Sequence, residues 1–298
     1  MKSIMKIIGV IAFSSLYAFS YDYNLKPKQI TKNIHCFFGD VGSPNKINNG
    51  NMVNTCYINK DDFYIVIDSG PTYKYAHQVN SIMNKIAKLP VKYVFNSHTH
   101  DDHLGGNIFY QRSGSKIIGS EHIHEQHDDT RMEKMIKKEA FAGTISYLPE
   151  TLLTKEKTTF GDMEAYIFEN QAHTKSDLVI YDKKEKVVFV GDLAFNERVL
   201  SIRDGDINGW LSTLDKIEKL DFKHMITGHG HDTSIKAHSN TKEYLLKLKN
   251  DVRTAIDDGV EIDEAAKKLD FPMYKDKKLY NELHRKNIYK VYQQLEWE

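Results

Sequence analysis

The window His98–His103 concentrates four side chains of the types that bind metal ions. It reads His-Thr-His-Asp-Asp-His, the pattern H-x-H-x-D-H. Imidazole nitrogens and carboxylate oxygens are ligands that zinc prefers, and such a cluster is typical of a metal site. The window directly follows the apolar, β-branched run Val91–Asn96, which predicts a strand. The sequence therefore predicts a metal centre at the end of a strand.

Three more ligand-type residues stand in a similar context. His173, Asp192 and His229 each lie in a predicted loop just after a strand-like run. Loops that follow the strands of an α/β sheet converge on one edge, where active sites form. We therefore expect these residues to join the cluster of the His98–His103 window.

Strands and helices alternate through two similar halves, without a Pro- or Ser-rich linker between them, which predicts one α/β domain. The predicted strands are Ile34–Phe38, Met52–Ile58, Phe63–Asp68, Val91–Asn96, Lys116–Gly119, Met163–Glu169, Leu178–Asp182, Val187–Val190 and Lys223–Thr227. The predicted helices are Tyr73–Lys88, Gly105–Arg112, Glu121–Phe141, Asn208–Leu220, Asn240–Asp257, Asp263–Leu269 and Lys278–Trp297. The Asn- and Gly-rich segment Gly39–Asn51 predicts a mobile loop.

The first twenty residues predict a secretory signal. Lys2 and Lys6 precede an apolar run that ends near Phe19, and small residues around Ala18 and Ser20 provide a cleavage site. The run is shorter than the roughly 20 residues that a membrane span needs. We therefore expect a signal peptide at 1–20, a catalytic domain at 21–238 and a helical C-terminal extension at 239–298, packed on the same domain. The mature protein is then periplasmic or secreted and free of the membrane.

Composition excludes some partners. The chain has 298 residues with 41 basic and 41 acidic side chains, and no basic stripe with interleaved aromatics. Nothing in this balance favours nucleic acid. Cys36 and Cys56 lie in strand-like segments that could pair, so they form either a disulfide or two small buried core residues. Neither has a Cys or His partner at ligand spacing.

The ordered landmarks resemble the metallo-β-lactamase superfamily over about Ile34 to Gly230. They are a strand ending at Asp68, then H-x-H-x-D-H, then His-Thr at His173, Gly-Asp at Asp192 and Gly-His-Gly at His229. The resemblance implies an αββα four-layer sandwich of the α/β class. It also implies a metal-dependent hydrolase with two zinc ions, with iron or manganese as alternatives.

The resemblance implies a role for each ligand-type residue. His98, His100 and His173 hold the first metal, Asp102, His103 and His229 hold the second, and Asp192 bridges both. A hydroxide between the metals attacks a carbonyl, ester, thioester or related bond, and Asp102 helps to orient that nucleophile as the catalytic residue.

Departures from the family pattern indicate which group within the superfamily the chain resembles most. Asp192 stands where one class of true metallo-β-lactamases has Cys, and Leu193–Arg198 replaces the Gly-Cys-Gly-Arg segment of glyoxalase-like enzymes and persulfide dioxygenases. The segments around Gly191–Phe195 and Asp206–Leu211 are more similar to exported SoxH-like zinc metallohydrolases found beside sulfur-oxidation or quinoprotein systems. We therefore expect the protein to act beside an exported sulfur-oxidation or quinoprotein system. We expect its own substrate to be a small molecule. Specificity is expected in the loops Gly39–Asn51 and Glu121–Leu148.

Three other functions stay open. They are β-lactam hydrolysis, an iron-dependent oxidoreductase of sulfur compounds, and a non-enzymatic metal-binding partner of an exported complex.

Several residues carry weaker predictions. Asp68 either supports a ligand from behind or caps the turn at Ser69-Gly70. Asp101 either supports the site or is a solvated loop charge. Trp210 is predicted to pack in the core, and His231 to be a loop residue without a metal role. Surface positions are predicted for three further histidines, His122, His124 and His127.

Overall fold

A computed structural model describes residues 21–125, 131–168 and 171–298. The predicted signal peptide and His127 lie outside the described residues. No helix among the described residues is long and apolar enough to cross a membrane.

Twelve strands among the described residues form two sheets. They are β1 Lys28–Thr31, β2 Ile34–Phe37, β3 Thr55–Asn59, β4 Tyr64–Ile67, β5 Val91–Phe95, β6 Lys116–Ser120, β7 Thr151–Leu153, β8 Lys157–Phe160, β9 Met163–Ile167, β10 Leu178–Asp182, β11 Val187–Phe195 and β12 His224–His229. The first sheet has the order β1-β2-β3-β4-β5-β6-β7, and the second has the order β12-β11-β10-β9-β8.

The described helices flank the sheets. They are α1 Tyr73–Ile86, α2 Asp101–Leu104, α3 Asn107–Arg112, α4 Arg131–Met135, α5 Lys138–Phe141, α6 Ile207–Ile217, α7 Ser239–Asp257, α8 Ile262–Lys268 and α9 Tyr280–Leu295, with a 3-10 turn at Pro272–Tyr274. Helix α1 begins where the Thr72 hydroxyl accepts a hydrogen bond from the Tyr75 N–H, and α6 begins at Asp206 in the same way.

Three apolar cores define four layers. A central core joins the inner faces of both sheets, for example Ile67 and Phe95 of the first sheet with Phe189 and Ile226 of the second. A second core lies between α1, α3 and the outer face of the first sheet. A third lies between the second sheet and helices α6, α7 and α9. The predicted αββα sandwich with a helical C-terminal region is therefore confirmed; the boundaries at 20 and 238 stay predictions.

Cys36 and Cys56 form a disulfide across β2 and β3. The two residues are directly opposed in the antiparallel pair, which brings their side chains to the same face. Both are fully buried in the central core. Of the two alternatives from the sequence, the structure therefore has the disulfide.

Some predicted elements differ in the structure. The stretch Glu121–Phe141 is not one helix: residues 121–125 form turns, and α4 and α5 are short and separated by Ile136-Lys137. Its apolar residues Met132, Ile136 and Ala140 pack on the second core, so tertiary packing rather than helix periodicity decides its path. Strands β1, β7 and β8 were not predicted, because they are only three or four residues long and none has a continuous buried apolar run.

Candidate metal centre

One edge of the sandwich collects the seven predicted ligands. His98 and His100 lie in the loop after β5, and Asp102 and His103 lie in the short helix α2 that follows. His173 lies in the loop between β9 and β10. The structure brings all seven together in two groups, His98, His100, His173 and Asp192 in one and Asp102, His103 and His229 in the other.

Asp192 and His229 lie within strands and not in the loops predicted to follow them. Strand β11 continues to Phe195, and its parallel pairing with β12 shifts register on both sides of Gly191. Gly191 has φ +51°, and a Cβ there would lie 2.5 Å from the Ser97 side chain. A Cβ on Gly228 would lie 1.9 Å from Asp192 Oδ1. The glycines thus let two strands and the His98 loop approach closely enough to share one carboxylate.

Three imidazole nitrogens of the first group converge on one point. His98 Nε2 lies 2.9 Å and His173 Nε2 lies 3.1 Å from His100 Nδ1. Nitrogens bound tetrahedrally to zinc at about 2.0–2.1 Å are themselves separated by about 3.3 Å. The spacing is therefore close to that of three ligands around one small cation.

The carboxylate of Asp192 divides its oxygens between the groups. Its Oδ2 lies 3.4 Å from His173 Nε2 and 3.8 Å from His98 Nε2. Its Oδ1 lies 3.2 Å from both His103 Nε2 and His229 Nε2. Asp102 Oδ2 completes the second group at 3.5 Å from His229 Nε2 and 3.8 Å from His103 Nε2. One side chain thus has an oxygen directed at each group, as the sequence comparison implied for a bridging ligand.

Hydrogen bonds behind the cluster orient the rings. His103 Nδ1 donates to Asp68 Oδ2 at 2.8 Å, and His229 Nδ1 donates to the Met52 carbonyl at 2.9 Å. The His100 ring has the opposite orientation: its Nε2 lies 3.0 Å from Asp204 Oδ2, and its Nδ1 faces the cluster. Each bond leaves the second ring nitrogen with a lone pair directed into the cluster.

Asp68 supports a ligand-type histidine from behind, which was the first of the two roles predicted for it. Besides the bond to His103, its Oδ1 accepts the Ser97 N–H at 2.8 Å and its Oδ2 accepts the Ser97 hydroxyl at 2.9 Å. Asp68 has φ +54°, in the left-handed region, which non-glycine residues adopt at some cost in free energy. It therefore fixes both the loop that carries His98 and the ring of His103.

Burial and nearby carboxylates shift the pKa values of the clustered histidines in ways that favour cation binding. Burial lowers the pKa of His98 well below its usual value and that of His173 to about 3, so both rings are neutral. Burial also opposes protonation of His103, but Asp68, Asp192 and Asp102 outweigh it and raise that pKa well above the ordinary value. A positive charge is thus favoured where these carboxylates meet.

Unsatisfied polar atoms support the same conclusion. His103 Nε2 and Asp192 Oδ1 are buried and lie 3.2 Å apart, but neither is in hydrogen-bond geometry with a partner among the described residues. Buried polar atoms without partners are costly unless a ligand supplies the missing interaction. These two atoms face the second group, so the residues present fit a bound metal ion.

Two residues of the surroundings were missed by the sequence analysis. Asp204 has no motif around it, and only the fold brings it to His100 across more than a hundred residues. Ser97 lies directly before His98, and its hydroxyl lies 3.0 Å from His98 Nδ1. Proximity to the H-x-H window was the only signal that could have indicated Ser97; Asp204 had none.

The weaker predictions have mixed outcomes. Trp210 is fully buried and donates from Nε1 to the Leu193 carbonyl, as predicted for a core residue, and its ring also lies 5.1 Å from that of His173. Asp101 accepts the Met132 N–H at 2.9 Å and so ties α2 to α4. His231 is paired with Glu197 outside the cluster. His122 pairs with exposed Glu125, and exposed His124 contacts the Pro149 carbonyl.

A cavity of about 440 Å³ opens onto the cluster. Its floor is formed by ligand-type residues of both groups, and its walls come from loops and from the C-terminal region. The lining includes Ser43 and Pro44 of the Gly39–Asn51 segment, Met132 and Met135 of α4, Arg198, Arg203 and Asp204 after β11, and Leu279 and Leu283 at the start of α9. Both loops predicted to determine specificity therefore reach the cavity.

A sandwich of two sheets with a buried cluster of imidazoles and carboxylates at one edge defines a class of metal-dependent proteins. The sequence profile of the Metallo-beta-lactamase superfamily matches residues 48–229, which include every residue of the cluster. The chain belongs to this superfamily.

Curated relatives are distant and only partly covered. Metallo-beta-lactamase IND-1 of Chryseobacterium indologenes is 26% identical over 52% of this chain and 62% of its own length. A hydroxyacylglutathione hydrolase of Pelagibacter ubique is 26% identical over 54% of this chain and 58% of its own length. The chain thus matches about three-fifths of the length of these relatives, whose names include two hydrolytic activities.

Solved structures show the same fold. A metallo-beta-lactamase from Pontibacter korlensis superposes with a TM-score of 0.58 at 18% identity, covering 74% of this chain and 99% of that one. A metallo-beta-lactamase from Hirschia baltica gives a TM-score of 0.59 at 14% identity, covering 74% and 96%. At this identity the likeness supports the architecture alone.

Proposed function

We propose that the protein is an exported metal-dependent hydrolase that binds two zinc ions and cleaves a carbonyl, ester, thioester or related bond in a small molecule. The observation that carries the proposal is the arrangement of Asp192, with one oxygen directed at each group of ligand-type residues. A single carboxylate between two imidazole groups is suited to a pair of divalent cations.

Each residue of the cluster has a proposed role in metal binding or catalysis. Bound zinc would activate water near neutral pH and stabilise negative charge on the attacked group. His98, His100 and His173 would hold one ion, Asp102, His103 and His229 the other, and Asp192 both. Asp102 is buried but lines the cavity, so its carboxylate is placed to accept a proton from, and so orient, the attacking water.

Export is supported by two features of the chain. The predicted leader at 1–20 directs secretion, and the disulfide between Cys36 and Cys56 suits an oxidising compartment. The similarity to SoxH-like enzymes, and with it a sulfur-oxidation or quinoprotein partner, belongs to the same proposal. It rests on the segments around Asp192, Asp206 and His229 and on the helical tail at Asn287–Glu296.

β-Lactam hydrolysis is the second candidate, because curated and structural relatives carry that name. Asp192 argues against strong activity, since true metallo-β-lactamases of one class have Cys at that position. A nitrocefin assay on the zinc-loaded protein decides between weak and efficient turnover.

The proposal is tested by metal analysis and turnover of the purified protein. We expect close to two zinc ions per chain, loss of turnover on an ester, thioester and lactam panel after chelation, and recovery on adding zinc. D102N should lower turnover by at least about 100-fold while the exposed matched variant D62N leaves it unchanged. Iron in place of zinc, with oxygen uptake on a persulfide, would instead support the oxidoreductase. Full turnover without any metal contradicts both.

A further inference from the structure

The segment that leads from β11 into α6 contacts the first group of ligand-type residues at two points. We call its residues 200–206 the Asp204 loop. The Asp204 carboxylate lies 3.0 Å from His100 Nε2. The Asp206 N–H donates to the Ala172 carbonyl at 2.9 Å, one residue before the third imidazole of the group. The position of this loop therefore affects where two of the three imidazoles lie.

A glycine lets the Asp204 loop pack directly on the His173 segment. A Cβ at Gly205 would lie 2.3 Å from the Ala172 carbonyl oxygen and 3.2 Å from the His173 carbonyl oxygen. Only a residue without a side chain allows this approach of one backbone to another. Because the contact is close-packed, a shift of the loop would also displace the His173 segment.

Asn287 of α9 holds the backbone that precedes Asp204. Its Nδ2 donates to the Leu200 carbonyl at 2.8 Å, and its Oδ1 accepts the Ile202 N–H at 3.1 Å. The Asn287 side chain is buried, and its Nδ2 also donates to the Tyr244 hydroxyl of α7 at 3.1 Å. The start of the loop is therefore tied to two helices of the C-terminal region.

Gln294 of α9 holds the backbone that follows Asp204. Its Nε2 donates to the Gly205 carbonyl at 2.6 Å, and its Oε1 accepts the Ile207 N–H at 3.2 Å. Asn287 and Gln294 are about two helical turns apart, so both amides lie on the same face of α9. One helix thus holds the main chain on both sides of the Asp204 carboxylate.

We propose that Asn287 and Gln294 are positioning residues that orient His100 for the first metal through the Asp204 loop. This inference rests on the proposed function. Neither amide is among the described residues that line the cavity, so their effect on the site is indirect. A carboxylate orients a metal-binding imidazole only when the carboxylate is itself held in place. The two amides follow residues 48–229, which the superfamily profile matches, so this support comes from outside the shared region.

The effect is expected at one metal site. The rings of His103 and His229 are oriented by Asp68 and by the Met52 carbonyl. These partners belong to segments that precede α1, not to the Asp204 loop. Loss of the α9 amides should therefore weaken the first site and leave the second unchanged.

Chelator competition on the zinc-loaded protein tests this expectation. Q294M and N287A each remove a two-point contact and should each lower the first-site affinity by about two- to fivefold. The double variant should approach the roughly tenfold loss expected when the carboxylate behind His100 is removed. Q293M and N281A, at exposed positions of the same helix, should leave both affinities unchanged.

A double-mutant cycle with D204A separates positioning from a general loosening of the protein. If α9 acts through Asp204, Q294M should lower the first-site affinity less in the D204A background than in wild type. A loss of the same size in both backgrounds overturns the proposal, as does an equal loss at both sites or no loss in either variant. Gln294 is only half-buried, so Q294M keeps the test available if N287A does not fold.

The ring proton on His100 Nε2 provides a readout that needs no metal. In the metal-free protein the Asp204 carboxylate holds this proton, and NMR follows its exchange with water. We expect faster exchange in Q294M and N287A and unchanged exchange in Q293M. Unchanged exchange in all three variants overturns the proposal whatever the zinc content. Faster exchange in a protein that binds no zinc supports the positioning of His100 by α9 and contradicts only the proposed function.

Discussion

Replacement of Asp204 by alanine should weaken one of the two metal sites and leave the other intact. Asp204 Oδ2 lies 3.0 Å from His100 Nε2, and the same oxygen accepts a hydrogen bond from Arg203 Nε at 2.7 Å. Burial acts to raise the pKa of Asp204, but the hydrogen bonds from His100 and Arg203 outweigh it and lower that pKa. The carboxylate is therefore charged at neutral pH and fixes the His100 ring with Nδ1 toward the first group.

The expected magnitude follows from this geometry. Loss of a carboxylate behind a metal-binding histidine costs about 10- to 100-fold in metal affinity. The Asp204 side chain is 25% exposed, and water can replace part of the lost bond, so we expect the lower end, about tenfold. A tenfold loss corresponds to about 1.4 kcal/mol. D204N keeps an acceptor for the His100 N–H but loses the charge, so its loss should be smaller.

Competition with a chromophoric chelator measures the two zinc affinities. In D204A only the site of His100 should be weakened, whereas D68N should weaken both sites, because Asp68 binds His103 and also holds the loop that carries His98. The exposed variant D62N serves as the control for a lost surface charge. If D204A binds both ions as tightly as wild type, or if D204A weakens both sites as D68N does, the assignment of Asp204 to the first group alone is wrong.

Three further outcomes are expected. D192A should weaken both sites by more than about 100-fold, because it removes an oxygen from each group. The double variant C36A/C56A should lower the free energy of unfolding by about 3 kcal/mol, from the entropy of a loop closed over a separation of 20 residues. E164Q should cost less than about 1 kcal/mol at pH 7 and should flatten the acid dependence of stability. Burial works to raise the pKa of Glu164, but Lys157, Tyr166 and Lys183 lower it to about 2 from an unfolded value of 4.5. Its contribution is therefore present above pH 4.5 and is lost as the pH falls toward 2.

Each outcome has a direct measurement. Chelator competition checks D192A, and unchanged affinity at either site contradicts a shared ligand. Urea unfolding under oxidising conditions checks the cysteine variant, whose zinc content should stay at the wild-type value. Urea unfolding at pH 7, 4 and 2.5 checks E164Q, with E185Q, at a partly exposed turn of the same sheet, as the control. A loss in E164Q that is equal at all three pH values would show that its ion pairs do not contribute.

The elements were predictable where the hydrophobic pattern is local. The run at Val91–Asn96 and the apolar stripe around Trp210 predicted a strand and a helix whose ends lie within three residues of those found. Prediction was wrong where neighbours decide the conformation. β11 extends through Gly191 because β12 pairs with it in a shifted register, and the stretch after Glu121 breaks into short helices to follow the core beneath it.

The sequence by itself determined which side chains cluster. Imidazoles and carboxylates placed at or near the ends of apolar strands meet at one edge of the sandwich, because that is where strand ends converge. Only the tertiary structure decided which other residues surround this cluster. Asp204 behind His100 and the apolar wall from Leu279 depend on contacts between segments that are distant in the chain. Such contacts leave no periodicity or spacing in the sequence, since they are selected by packing and charge in three dimensions.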